Sequence, residues 1–190
     1  MLLVLAAVAF GAENRGDLNF GTIVVATYST SRITVAADSR ATFEDGRFQD
    51  THCKLAEINP HLVFAVTGVL EDKSPALPRK LRFDAIELAK RAARNAVFDP
   101  ELNQNHIQAI AQHWAGTLAY RMNQAPPPHM KQWKLTTKSF EILIKGVFAG
   151  INDDGKLVLS VGVVEYAPPL TGWVGPTIKF YTEKIGRAHV

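Results

Sequence analysis

The sequence predicts a single α+β domain in which antiparallel β-hairpins flank a pair of helices, and three observations carry that reading. Two short apolar runs at 22–28 and 33–37 are separated by four polar residues, two helix-periodic segments fill the middle of the chain, and a second pair of apolar runs, at 140–150 and 156–166, is joined by a turn-rich pentapeptide. Helices bracketed by hairpins bury their apolar stripes against sheets, which is a layered arrangement. The 190 residues and 47% hydrophobic content suffice for one sizeable core, and no repeat or low-complexity tract marks a second domain.

Taken in order, TIVVATY at 22–28 and ITVAA at 33–37 are rich in β-branched residues, and Ser29, Thr30, Ser31 and Arg32 between them read as a hairpin connection. Residues 47–54 alternate weakly. LVFAV at 62–66 reads as a buried strand, and Gly68 just past it marks a close backbone approach. The stretch 68–82 (GVLEDKSPALPRKLR) carries Pro75, Pro78 and four basic residues, the composition of a long exposed loop. Asp84 is suited to cap a helix over 85–97 whose apolar stripe is Ile86, Leu88, Ala89, Ala92 and Ala96, with Asp99 and Pro100 ending it. Asn105 caps a second helix with Ile107, Ile110, Ala111, Trp114, Leu118 and Met122 on one face, stopped by APPP at 125–128. The last two strands are joined through Ile151, Asn152, Asp153, Asp154 and Gly155.

Several function classes are disfavoured by the same residues. The net charge of +3 is spread along the chain with no helical basic stripe or interleaved aromatics, so no nucleic-acid partner is expected. The one cysteine, Cys53, excludes internal disulfides and Cys-based zinc sites, and strand alternation turns it toward the core rather than making it a thiol activated by Lys54. His106 and His113 lack a third ligand at metal spacing and are expected to face solvent, while 152–155 lacks the ligand spacing of a calcium loop. No metal and no cofactor are expected.

The residues that carry chemistry are Thr22, Asp38 and Lys54, at offsets of 0, 16 and 32. A threonine hydroxyl is a weak nucleophile, and a free α-amine on the same residue can serve as its base. That amine must be deprotonated, and a nearby ammonium lowers its pKa by like-charge repulsion. Lys54 can supply the charge. An ammonium enclosed in a fold needs an anion beside it, and Asp38, at the end of the second strand, is the candidate.

This block, with its Gly-Thr junction, its Ala-Asp-Ser-Arg-Ala-Thr stretch and its Lys followed by Glu-Ile-Asn-Pro, resembles the first part of a proteasome β-type subunit, a threonine-type N-terminal nucleophile (Ntn) hydrolase. The resemblance is specific over 22–68 and falls to fold level through about 166. It implies an α+β fold of four αββα layers, with the C-terminal part of the domain missing. It implies Thr22 as nucleophile, Asp38 and Lys54 as its charge partners, and the Gly68 amide as oxyanion donor. It further implies that Thr42 and Gly68 pair with an extended substrate strand while Ala41, His52, Ala56, Val66 and Leu70 shape the pocket for the residue before the cut. The family completes its site with a serine in a Gly-Ser-Gly-like turn and a later Asp and Ser, for which this chain offers no match.

Both ends call for separate readings. The apolar run 2–10 (LLVLAAVAF), followed by small residues up to Ala12, reads as an export signal too short to span a membrane, or else as a hydrophobic propeptide or core strand. Export to the periplasm or medium follows from the first, a cytoplasmic protein from the second. In either case residues 1–21 must be removed, and Gly21 favours self-cleavage by allowing the backbone to bend toward the Thr22 hydroxyl. Residues 185–190 (IGRAHV) resemble the translation of a sequencing adapter, with a genuine polar tail as the alternative, so the domain is taken as 22–184. The expected activity is cleavage of peptides or unfolded protein through an acyl-enzyme, and the resemblance implies stacked rings or another homo-oligomer. A non-catalytic assembly subunit with its leader retained, and an Ntn amidohydrolase acting on small amides, are the alternatives.

Overall fold

The structure, a computed structural model, describes residues 24–29, 31–42, 48–49, 53–73, 77–96, 105–124, 141–167 and 177–187. In chain order its elements are β1 (Val24–Tyr28), β2 (Ile33–Ala37), β3 (Ala41–Thr42), β4 (Phe48–Gln49), β5 (Leu55–Asn59), β6 (Leu62–Gly68), β7 (Glu71–Asp72), β8 (Phe83–Asp84), α1 (Ala85–Asn95), α2 (His106–Gln124), β9 (Glu141–Ile151), β10 (Leu157–Ala167) and β11 (Thr177–Arg187). The chain is α+β, and its sheets are antiparallel.

Side-chain alternation along the long strands builds three layers. Strands β11-β10-β9-β6-β5, in that spatial order, make one five-stranded sheet. Leu62, Phe64 and Val66 of β6, Ile144 and Phe148 of β9, and Val158 and Val164 of β10 point to one face, where α1 and α2 cover them. Ala65, Val147, Ala149, Leu159, Val161 and Val163 point to the other, against Val24 and Ala26 of the β1–β2 hairpin. The hairpin pairs Val24 with Ala37 through Tyr28 with Ile33, and the Ser29 amide donates to the Arg32 carbonyl across its turn at 2.8 Å.

The helical layer follows its sequence signals closely. Asp84 caps α1 by accepting from the Ile86 and Glu87 amides, and Ala96 is already extended where the helix ends. Asn105 Oδ1 accepts from the Gln108 amide at 2.7 Å, and all six residues of the expected α2 stripe are buried. Trp114 is the centre of the core. Its indole N–H donates to the Ala85 carbonyl at 3.0 Å, joining the helices, and its ring lies 5.4 Å from Phe64 and 5.7 Å from Phe148, edge-on to both. The indole reaches the sheet over the paired Gly146 and Gly162, where a Cβ on Gly146 would come within 2.6 Å of the ring.

Several sequence expectations need correction. The stretch 68–82 is not wholly a loop: Val69 and Leu70 are buried, and β7 pairs with β8 as a small ribbon closed by Lys73, which bridges Glu71 and Asp84. Two-residue strands carry no readable period, so this ribbon leaves no signature in the sequence. Of the weakly alternating 47–54, the described residues include strand β4; the fuller strand is β5, whose register shift between Glu57 and Asn59 breaks the alternation that would reveal it. Strand β11, unanticipated, pairs with β10 from Ala167 opposite Thr177 to Val158 opposite Arg187, so 185–187 continue it. Among the described residues no helix is long and apolar enough to cross a membrane.

Candidate active site

The site grows from three local features of the hairpin side. Strand β2 ends at Ala37, and Asp38 follows it at once. The Asp38 carboxylate accepts from the Arg40 amide two residues on, at 3.2 Å, a side-chain turn that keeps Arg40 beside Asp38. Lys54 comes from the residue just before β5, and its own carbonyl accepts from the Val66 amide at 3.0 Å, which locks it to β6. Its ammonium donates to Asp38 Oδ1 at 2.8 Å and also to the Arg40 carbonyl.

Burial makes this pair unusual. The Lys54 side chain is 3% exposed and that of Asp38 38%, so the cation is withdrawn from water while its anion stays partly hydrated. An ammonium so enclosed is costly unless a charge and hydrogen-bond acceptors meet it, and here both do. Lys54 is the one ionisable residue in the buried class among the described residues. The Arg40 carbonyl is the member that sequence reasoning missed, because a backbone acceptor carries no residue-type signal.

Gly68 sits two residues beyond Val66 on β6, with φ of 88°, a left-handed conformation that L side chains rarely adopt. It is also in close approach: an added Cβ would meet the Leu143 carbonyl and, at 3.0 Å, the Ile144 Cα. The expected tight backbone passage is therefore present. The Val69 amide next to it donates to that same Leu143 carbonyl at 3.0 Å, which continues the β6–β9 register one residue past the strand.

The remaining site residues divide by position. Val66 and Leu70 are buried in the helix-side core, at 0% and 6% exposure, and Ala56 pairs with Phe64 in a half-buried position. Ala41 and Thr42 form β3 opposite Gln49 and Phe48. Thr22, Gly21 and His52, and with them the leader 1–21, lie outside the described residues. Cys53 corrects an expectation: it is exposed, with its thiol donating to the Leu55 carbonyl at 2.8 Å, because it lies before β5 begins and strand alternation does not govern it.

Two other features are separate from this site. A cleft of about 320 Å³ opens between Ile33 and Val35 of the hairpin and Leu55, Leu62, Ile151 and Leu157 of the sheet. It sits toward the turn end of β2, and its nearest hairpin residue, Val35, is about 10 Å of strand from Asp38. His106 Nδ1 lies 3.5 Å from an Asp153 carboxylate oxygen, and among the described residues no three His, Cys, Asp or Glu gather to hold a metal ion. No protein-family model matches the chain, and no curated protein matches it at a significant level.

Proposed function

We propose that this chain is an N-terminal threonine hydrolase of the proteasome β-subunit type, cleaving peptide bonds through an acyl-enzyme once residues 1–21 are removed. The observation that carries this reading is the enclosed Lys54 ammonium, held by the Asp38 carboxylate and the Arg40 carbonyl at the end of the hairpin where β1 begins. Val24 pairs with Ala37, the neighbour of Asp38, and Thr22 precedes Val24 by two residues. The reading requires Thr22 near the ion pair, and two residues of chain span up to about 7 Å, enough for that approach.

The chemistry assigns each group one task. With its amine free, Thr22 supplies a hydroxyl that attacks the substrate carbonyl, and the amine takes the hydroxyl proton. The positive charge of Lys54 favours the neutral amine that this step needs. The Gly68 amide donates to the oxyanion of the tetrahedral intermediate. The amine then passes its proton to the leaving group, and water releases the acyl chain from the Thr22 ester. Backbone groups of Thr42 and Gly68 align an extended peptide by strand addition, with Ala41, His52 and Ala56 bordering the pocket for the residue before the cut.

In this reading, helices, five-stranded sheet and hairpin are three of the four layers of an αββα sandwich. Thr34 and Ala36 stay exposed on the outer side of the hairpin, where a second sheet would be widened and a fourth layer would pack. Assembly into homo-oligomeric rings belongs to the same proposal.

Intact-mass measurement of the purified protein tests the processing step. The expected result is a chain beginning at Thr22 in the parent and an unprocessed leader in the Thr22→Ala variant. Folded, hydrolytically active protein that keeps residues 12–21 would overturn the proposal.

A further inference from the structure

Away from that site, folding collects positive charge that the sequence spreads out. Arg79, Lys80 and Arg82 lie in the turn before β8, Arg91 and Arg94 lie one turn apart on α1, and Arg121 lies in the last turn of α2. Backbone carbonyls fix two of these side chains. Arg82 Nε donates to the Leu77 carbonyl at 3.0 Å, and the Arg121 guanidinium donates to the Arg82 carbonyl. The carbonyl that holds Arg121 orients its guanidinium without adding a negative charge.

Carboxylates are engaged elsewhere on this side of the molecule. Glu71 and Asp84 hold Lys73 at the base of the ribbon, and Glu87 holds Lys90 at 2.8 Å. Among the described residues no ion pair involves Arg79, Lys80, Arg91, Arg94 or Arg121. Partial burial, and then the neighbouring Arg91, push Arg121 below the ordinary arginine value, so these two guanidiniums are near enough to repel each other. Like charges held this way raise the energy of the free chain and are relieved by an incoming anion.

We propose that the turn at 77–82, the outer side of α1 at Arg91 and Arg94, and the last turn of α2 form a docking surface for an acidic polypeptide segment of a partner protein. A run of carboxylates matches several separated cations better than a single ion does, because each exposed guanidinium can donate to one carboxylate in bidentate fashion. A single-stranded nucleic acid would need stacking platforms beside the charge. Among the described residues the exposed aromatics are Phe180, which packs on Gly116 of α2, and Tyr120, which precedes Arg121 and is a single ring rather than a series of platforms. This proposal does not depend on the hydrolase reading.

The test uses the full chain and a fluorescent ten-residue oligoglutamate, with oligoglutamine of equal length as control and ten-nucleotide oligouridylate as the charge-matched nucleic acid. Anisotropy is read at about 10 mM and about 150 mM salt, between which the Debye length falls from about 30 to about 8 Å. Oligoglutamate should bind, oligoglutamine should not, and affinity should fall at higher salt. The double variants Arg91→Glu/Arg94→Glu and Arg79→Glu/Lys80→Glu alter exposed positions only, and each should weaken oligoglutamate binding at least tenfold with an unchanged melting temperature. No binding by the parent chain, equal affinity in both variants, or tighter binding of oligouridylate than of oligoglutamate would overturn the proposal.

Discussion

The two faces of the five-stranded sheet differ in what they bury. The helix-covered face holds Phe64, Trp114 and Phe148 in mutual contact, with centroids 4.7–5.7 Å apart and every polar atom of the indole satisfied. The hairpin-covered face holds a smaller cluster of Val, Ala and Leu, and the end of the hairpin holds, through Asp38, a lysine that is 3% exposed. A face built only to stabilise has no use for an enclosed ammonium, since apolar replacements of buried ion pairs are often neutral or stabilising. The difference teaches that stability is concentrated under the helices, and that the hairpin side gives up apolar packing to hold a fixed charge.

Substitutions can break or sharpen that contrast. Trp114→Ala, on the helix side, should cost about 3–5 kcal/mol in urea unfolding, since it opens a cavity and orphans the Ala85 carbonyl. Gly68→Ala should cost roughly 2–3 kcal/mol, combining a left-handed backbone with displacement of the Leu143 carbonyl. Asp84→Ala should cost about 1 kcal/mol by removing the α1 cap. Lys54→Met should change stability by only about 1 kcal/mol in either direction, because Asp38 is exposed enough to rehydrate. A Lys54→Met loss as large as that of Trp114→Ala would erase the distinction between the faces.

The smallest effect comes from pH. Asp154, in the β9–β10 turn, is held below the usual carboxylate range, chiefly by its hydrogen bond from Lys156. A carboxylate with a depressed folded pKa adds stability that is present above its unfolded value, about 3.9, and is lost as pH falls through the folded value. Lys156→Met should therefore lower the melting temperature slightly at neutral pH and not at all at strongly acidic pH. Since Asp154 is exposed, salt should shrink the difference further.

What the sequence makes legible follows from the range of each signal. Caps and stripes are local, so Asp84, Asn105 and the face from Ile107 to Met122 are found where periodicity puts them. The two hairpins are legible for the same reason. Strand β11 is not, because its alternation in TIKFYTEK gives no clear apolar side, and it is specified by pairing with β10. At the site, charge logic is enough to couple Lys54 to Asp38 across sixteen residues, while the Arg40 carbonyl becomes visible only once the turn after β2 is built. The cationic surface is least legible of all, since α1, α2 and the 77–82 turn meet only in the fold.

The central claim is that the Lys54–Asp38 pair serves a nucleophile at Thr22, and steady-state turnover of fluorogenic peptide amides measures it most directly. Chain processed to begin at Thr22 should hydrolyse at least one member of an apolar-residue panel. Lys54→Met, produced with the same N-terminus and folded to the same extent, should lose about 10²–10⁴ in kcat, the scale expected when the base is left protonated. Thr22→Ala should show no turnover. Full turnover by folded Thr22→Ala, or by Lys54→Met, would contradict the account.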